Sequence, residues 1–230
     1  MKKIGILQSN YIPWKGYFDL IAAVDEFVIY DEMQFTKRDW RNRNKIKTPN
    51  DLQWLTIPVL TKGNFKQKIS ETKIDGMNWA ETHWSSLEKN YSRSYFFNEI
   101  SSWLKPLYLE RIYSYISEVN RVFIEAICCF LQIKTKISCS SNFNLIGEKS
   151  ERLANICSQA GASEYISGPA AKDYLESKKF TDQNINVNWF HYSDYNEYPQ
   201  LWGGFRHEVS ILDLLFNCGK ETPMYMKYVK

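Results

Sequence analysis

Residues 3 to 47 constrain the fold more than any other stretch. Lys3 to Leu7 is short, apolar and β-prone. Ser9-Asn10-Tyr11-Ile12-Pro13-Trp14-Lys15-Gly16 then breaks the pattern with turn residues. Phe18, Leu20, Ile21, Ala22 and Ala23 give a short helical apolar face, and Phe27-Val28-Ile29-Tyr30 returns to strand. A strand–helix–strand unit this compact makes its two strands parallel, with a right-handed crossover. The predicted fold class is therefore α/β, a mainly parallel sheet flanked by helices. In such sheets the loop after a strand, at a helix N-terminus, is where ligands bind.

The rest of the chain extends this reading. Residues 52 to 59 form a strand closed by Pro58, and a strand-like piece follows at 68 to 74. Trp79, His83, Leu87 and Tyr91 recur every four residues, which predicts a helix over 79 to 91. Further helices are predicted near 97 to 104 and 107 to 132, making a helical insertion of about 78 to 132. Strands are expected at 136–138, 164–167 and 185–191, and helices at 149–160, 170–176 and 210–217. We expect one α/β domain over residues 1–230.

Composition removes several function classes. A formal net charge of +3 is too mild for bulk nucleic-acid binding. No segment reaches the roughly 18 apolar residues of a membrane span, because Glu125 interrupts the apolar run at 123–131. The short apolar stretch after Met1-Lys2-Lys3 argues against a secretory signal. Five cysteines without C-x-x-C spacing fit a reducing cytoplasm and no zinc site. No Walker A, G-x-S-x-G, H-E-x-x-H or Rossmann glycine motif occurs, so no metal ligand is assigned and the cofactor is left open.

The candidate chemistry gathers near the first loop. Gln8 and Asn10 either contact a ligand through their amides or satisfy loop backbone, and Tyr11 and Trp14 stand beside them. Asp31 leaves the second strand toward the expected cleft, as an acid–base group or as a partner for Arg38, with Gln34 close behind. Lys37, Arg38, Arg41, Arg43, Lys45 and Lys47 crowd one segment with Trp40, Asn42 and Asn44. That run reads either as a diphosphate site gripped by arginine forks or as a solvated basic face. Of three histidines, His83 lies on the apolar helix face, His191 ends a strand and His207 precedes the last helix. Ser167, before Gly168-Pro169, either caps a helix or holds an anion.

The string Gln8, Asn10, Tyr11, Pro13, Trp14, Gly16, Tyr17, Phe18 resembles the WbqC-like family. The match continues through Asp31, Gln34, Phe35, Lys37, Arg38 and Asn42-Arg43-Asn44, then His83-Trp84, Tyr165-Ile166-Ser167-Gly168 and Ser210 to Asn217. It covers nearly the whole chain. Ser9 stands where Pro is common, and Glu32 where Asp is common. The resemblance implies a role in surface-polysaccharide biosynthesis such as O-antigen. The concrete expectation is transfer of an acyl or aminoacyl group to a nucleotide-linked amino sugar, with that sugar and an acyl donor as partners. On this reading His83 or Asp31 takes the amine proton. Gln8, Asn10, Tyr11, Trp14, Gln34, Lys37, Arg38, Arg43, Asn44 and Ser167 line the substrate. The alternative is a noncatalytic module that binds a nucleotide sugar or nucleic acid. A third reading arises because the first loop is laid out like the phosphate loop of HIGH-motif nucleotidyltransferases. Here that motif reads Trp14-Lys15-Gly16-Tyr17, with neither histidine.

Overall fold

A computed structural model describes residues 1–230. Strand β1 (Lys3–Leu7), helix α1 (Lys15–Ala22) and strand β2 (Glu26–Ile29) form the expected unit. The strands are parallel, with Ile4 opposite Glu26 and Leu7 opposite Ile29. Gly5 lets the crossover helix lie flat on the sheet, since a Cβ there would meet Leu20 at 2.9 Å. A hairpin of β3 (Arg43–Thr48) and β4 (Asp51–Thr56) follows. Three helices come next, α2 (Trp79–Tyr91), α3 (Phe97–Leu109) and α4 (Ile116–Phe130). The chain returns to the sheet as β5 (Lys136–Cys139), α5 (Lys149–Gln159), β6 (Glu164–Ser167), α6 (Lys178–Thr181) and β7 (Asn186–Trp189), and closes with α7 (Ile211–Cys218).

The five sheet strands run parallel in the order β5-β2-β1-β6-β7. The chain winds outward from β1 to β5, then crosses back to the other side of β1. Right-handed crossovers therefore put the helices that precede β5 on one face and α5 and α6 on the other. The apolar packing follows that division. Phe27 and Ile29 join α1, α2, α3, α4 and α7 in a large cluster, while Ile4, Ile6, Val28 and Tyr165 pack with α5 and Phe180 of α6. The winding reverses between β1 and β6. In doubly wound sheets, ligands bind outside the carboxyl ends of the strands at that point.

Several local expectations change. Only the second half of the basic run, from Arg43 to Lys47, is strand, with Asn44 and Ile46 turned inward and Arg43 and Lys45 outward, while Lys37, Arg38 and Arg41 lie in the turns before it. Residues 68–74 do not form a strand, since only isolated bridges join Gln34 to Lys68 and Val59 to Ile74 around a 3₁₀ turn at Ile69–Glu71. The helix expected at 107–132 is two helices. Glu118 accepts the N–H groups of Ser114 and Tyr115 at 2.9 and 3.0 Å, which caps a new start at Ile116. The helix expected at 170–176 is a 3₁₀ turn, Pro169–Asp173. No helix is long and apolar enough to cross a membrane.

Candidate functional site

The ladder between β1 and β6 ends at Gly5–Ile166, and residues 8–13 leave the sheet at its carboxyl edge. Several bonds fix this loop. The Tyr11 N–H donates to the Trp40 carbonyl at 2.9 Å, and Asn44 Nδ2 donates to the carbonyls of Tyr11 and Ile12 at 3.1 and 3.0 Å. The Tyr17 hydroxyl holds the Gln8 carbonyl at 3.0 Å. Together they sustain a φ of 38° at Ile12, a strained value for a β-branched residue.

Arg41 is the charged centre of this edge. Its Nη1 donates to Asn10 Oδ1 and its Nη2 to Gln8 Oε1. Because both amide oxygens face the guanidinium, the amide nitrogens of Gln8 and Asn10 turn away from it and find no acceptor in the protein. The Arg41 side chain is only 15% exposed, its nearest carboxylate is Asp39 at 3.8 Å, and its Nε is buried without a partner. Burial lowers its pKa, opposed by Asp39, Tyr17 and Asp31, yet a guanidinium stays charged at neutral pH. The result is a partly buried cation with spare donors beside two outward amides, a donor set suited to phosphate oxygens.

Asp31 lies just behind. It accepts the Ser9 N–H at 2.8 Å and the Ser9 hydroxyl at 2.7 Å. Desolvation raises its pKa, while the two Ser9 bonds and Arg41 pull it down. Asn120 of α4 donates to Ser9 Oγ at 2.9 Å and to the Arg41 carbonyl at 2.8 Å, and its own Oδ1 has no partner. Farther along the same loop the side chains are aromatic. Trp14 meets Tyr192 and Tyr195 at centroid distances of 5.4 and 5.6 Å, and Tyr192 borders Gly168 after β6. The indole also covers Gly16, where an added Cβ would sit 2.4 Å away. The first turn of α1 is thus occupied by an aromatic ring. Lys15, 6% exposed, donates to the Asn196 carbonyl at 2.9 Å and lies over Tyr195 and Tyr198. Burial lowers its pKa to about 8.

The edge therefore brings together Gln8, Asn10, Asp31 and Trp14 from the sequence-derived set. The expectation that His83 reaches this cleft with a free nitrogen is corrected. His83 is 3% exposed inside a cage of Tyr11, Trp79 and Tyr108. Its Nε2 lies 3.2 Å from the Thr56 carbonyl and its Nδ1 2.8 Å from the Tyr11 hydroxyl. A carbonyl only accepts, so Nε2 carries the proton and Nδ1 accepts from Tyr11. Desolvation lowers the His83 pKa to about 4 despite the Thr56 bond. Tyr11 is fully buried by the same network, with its oxygen 2.8 Å from that of Tyr108. The expectation that Arg38 and Arg43 face Gln8 and Asn10 is corrected too. Arg38 is exposed, and Arg43 donates to its carbonyl and lies over Trp54.

Gln34 donates to the Phe65 carbonyl at 2.6 Å and Lys37 lies over the Phe65 ring, both on the exposed surface. Asn44 holds the loop from behind. Ser167 is buried, and its carbonyl accepts the Phe190 N–H at 2.8 Å. Asn120 is the residue sequence reading missed. Arg41 stands in the sequence only as one of six basic residues in a run, and nothing in the run's composition marks that Arg41 and Lys47 turn inward. No three His, Cys, Asp or Glu side chains come close enough to hold a metal ion. Shallow polar depressions around Glu81 and Lys89 on α2, and around Met1 and Asn186 at the amino edge of the sheet, lie away from this set.

A model of the WbqC-like protein family matches residues 8–225. An uncharacterized protein of Mycobacterium tuberculosis, Rv1507c, is 56% identical over 230 residues, which is 100% of both chains. No solved structure matches the chain. A family match over residues 8–225 and a relative aligned from end to end establish that the chain belongs to the WbqC-like protein family.

Proposed function

We propose that the protein is a transferase of surface-polysaccharide biosynthesis, O-antigen included, that binds a nucleotide-linked amino sugar at the switch point of the sheet. Arg41, shouldered by Gln8 and Asn10, carries this reading. It is a partly buried cation with unfilled donors at the edge where doubly wound sheets take phosphates. In the proposal Arg41 and the outward amides of Gln8 and Asn10 hold the diphosphate, and Trp14 and Tyr192 border the sugar. The reaction is acyl or aminoacyl transfer. The sugar amine attacks the acyl carbon of a donor, the bond to the donor's leaving group breaks, and the amine proton passes to Asp31. His83 has no free lone pair, so the proton falls to the carboxylate. Its raised pKa moves it toward the range useful for proton transfer near neutral pH.

The nucleotidyltransferase reading has less support, because the indole of Trp14 covers the helix turn where its phosphates would sit. The noncatalytic binding module has one observation in its favour, namely that Ser9 engages both oxygens of Asp31. Calorimetric titration with inorganic pyrophosphate and a uridine-diphosphate amino sugar tests the grip. Arg41→Ala is expected to weaken both by roughly tenfold or more. Equal affinities in wild type and variant would end the proposal. Acyl-donor consumption by wild type, lost in Asp31→Asn with binding kept, marks the enzyme. Binding without turnover for every donor class marks the module.

A further inference from the structure

The outer face of the β3–β4 hairpin combines features that the anion grip does not use. Antiparallel pairing sets Lys45 opposite Trp54 and Arg43 opposite Thr56, so Arg43, Lys45 and Trp54 share one face of the ribbon. The other face buries Asn44, Ile46 and Leu55. Trp54 is 39% exposed and Trp40 is 42% exposed, and their rings pack on each other at 5.4 Å and 38°. The Arg43 guanidinium lies 4.1 Å from the Trp54 ring centre and the Lys45 ammonium 5.1 Å. A single exposed apolar residue needs no explanation. Two tryptophans in tilted contact beside two cations form a cationic aromatic platform.

The chain also ties the platform to the grip. Trp40 immediately precedes Arg41, and its carbonyl takes the Tyr11 N–H, so the aromatic surface and the Gln8–Asn10 loop share a backbone anchor. Asp39 fixes the turn by accepting the Trp40 N–H at 2.7 Å and the Thr36 hydroxyl at 2.9 Å. Its carboxylate is thereby committed to the turn, and no other carboxylate lies among the platform residues.

We propose that Trp40 and Trp54 form the stacking platform for the aromatic base of a nucleotide whose phosphates reach Arg41, with Arg43 bracing Trp54 and adding positive charge. This rests on the reading of Arg41 as the phosphate grip. Every base has a π-face, and stacking on an aromatic side chain tolerates base identity. A platform without a free carboxylate to read exocyclic amines fits that tolerance. Adenosine and uridine diphosphates should therefore bind with similar strength.

The test titrates the full chain with uridine 5′-diphosphate, adenosine 5′-diphosphate and inorganic pyrophosphate, followed by calorimetry and by tryptophan emission. Both nucleotides are expected to bind about tenfold or more tighter than pyrophosphate, with quenching. Trp40→Ala and Trp54→Ala should bring the nucleotides down to the pyrophosphate level and leave pyrophosphate unchanged, while Arg41→Ala weakens all three. Thermal melts establish that the two surface variants are folded. If both bind nucleotides like wild type while Arg41→Ala still weakens binding, the platform is wrong and the grip stands. If nucleotide binding depends on Trp40 but no probe depends on Arg41, the platform stands and the grip is wrong. A preference of at least tenfold between the two nucleotides would overturn the base-tolerant platform, and no binding of any probe overturns both readings.

Discussion

Asp31 holds Ser9 at two points, the backbone N–H at 2.8 Å and the side-chain hydroxyl at 2.7 Å. Ser9 follows β1 and Asp31 follows β2. Because those strands are parallel neighbours, their loops leave the same edge of the sheet, and the carboxylate joins them. Asn120 extends the joint to α4. The edge that presents Arg41 is therefore built from three separate stretches of chain, locked by one buried carboxylate.

Ser9→Ala removes the hydroxyl and leaves Asn120 Nδ2 with the Arg41 carbonyl alone. A loss of roughly 1–3 kcal/mol is expected, the scale of a buried hydrogen bond to a charged group. The Asp31 carboxyl should also titrate higher, since a bond that favours its charged form is gone. The sign follows from the raised pKa. The folded state holds the Asp31 proton more tightly than the unfolded state, so its contribution to stability is full at low pH. It is lost as pH rises through the folded value. The variant should lose it over a wider span. Carbon-13 titration of Asp31 and urea melts check both, and an unmoved titration would show that the hydroxyl does not bear on the carboxylate.

His83 should behave as a structural residue. His83→Gln gives up the paired bonds to Tyr11 and Thr56 and is expected to cost about 1–3 kcal/mol, with pyrophosphate affinity unchanged. The pH dependence has the opposite sign to that of Asp31. A folded pKa of about 4 against 6.5 means that the unfolded state takes up the proton first, so wild-type stability declines as pH falls from 6.5 toward 4. The variant should lack that component. A folded His83→Gln protein that no longer binds anions would return His83 to the site.

Gly16 sets the position of Trp14. In Gly16→Ala the new methyl meets the indole at 2.4–2.8 Å, so either the ring or the first turn of α1 must move. A cost of about 1–3 kcal/mol is expected from this overpacking. The displaced indole should separate from Tyr192 and Tyr195. Near-ultraviolet circular dichroism would register the change, and identical aromatic spectra would mean that the contact is soft.

How much of this was legible in the sequence varies by region. The β1–α1–β2 unit was readable because local apolar periodicity and turn residues determine it. The strand order was not, since which side of β1 receives β6 depends on crossovers that no local pattern encodes. The basic run read either as an anion site or as a solvated face, and it holds two inward cations, Arg41 and Lys47, of which Lys47 is spent on Gln200 and the Gly204 carbonyl. Choosing Arg41 over Arg38 and Arg43 required the Asp39 turn and the Asn120 bond, a contact across 79 positions. His83 was misplaced for a related reason. The spacing of Trp79, His83, Leu87 and Tyr91 identifies a buried face, but not that Tyr11 and Thr56 complete the imidazole's bonds.

The amino edge of the sheet carries a second acid-sensitive group. Glu26 is buried and takes bonds from Lys2 at 2.7 Å, Lys136 at 3.0 Å and the Ser138 hydroxyl. Lys2 precedes β1 and Lys136 opens β5, so one carboxylate ties the three adjacent strands β1, β2 and β5. Burial alone would raise its pKa. The Lys2, Ser138 and Lys136 bonds outweigh it and bring the value to about 2, against 4.5 for a free glutamate. A depressed folded value means stability that is present above pH 4.5 and lost as pH falls toward 2. The lysines are partly solvated, so the contribution is placed at about 1–3 kcal/mol. Glu26→Gln should lose that amount at neutral pH and show a flatter decline between pH 4.5 and 2. Urea melts of both proteins at pH 7, 4.5 and 3 decide the matter. Parallel loss of stability in the two, with a constant gap between them, would mean that Glu26 does not govern the acid limb.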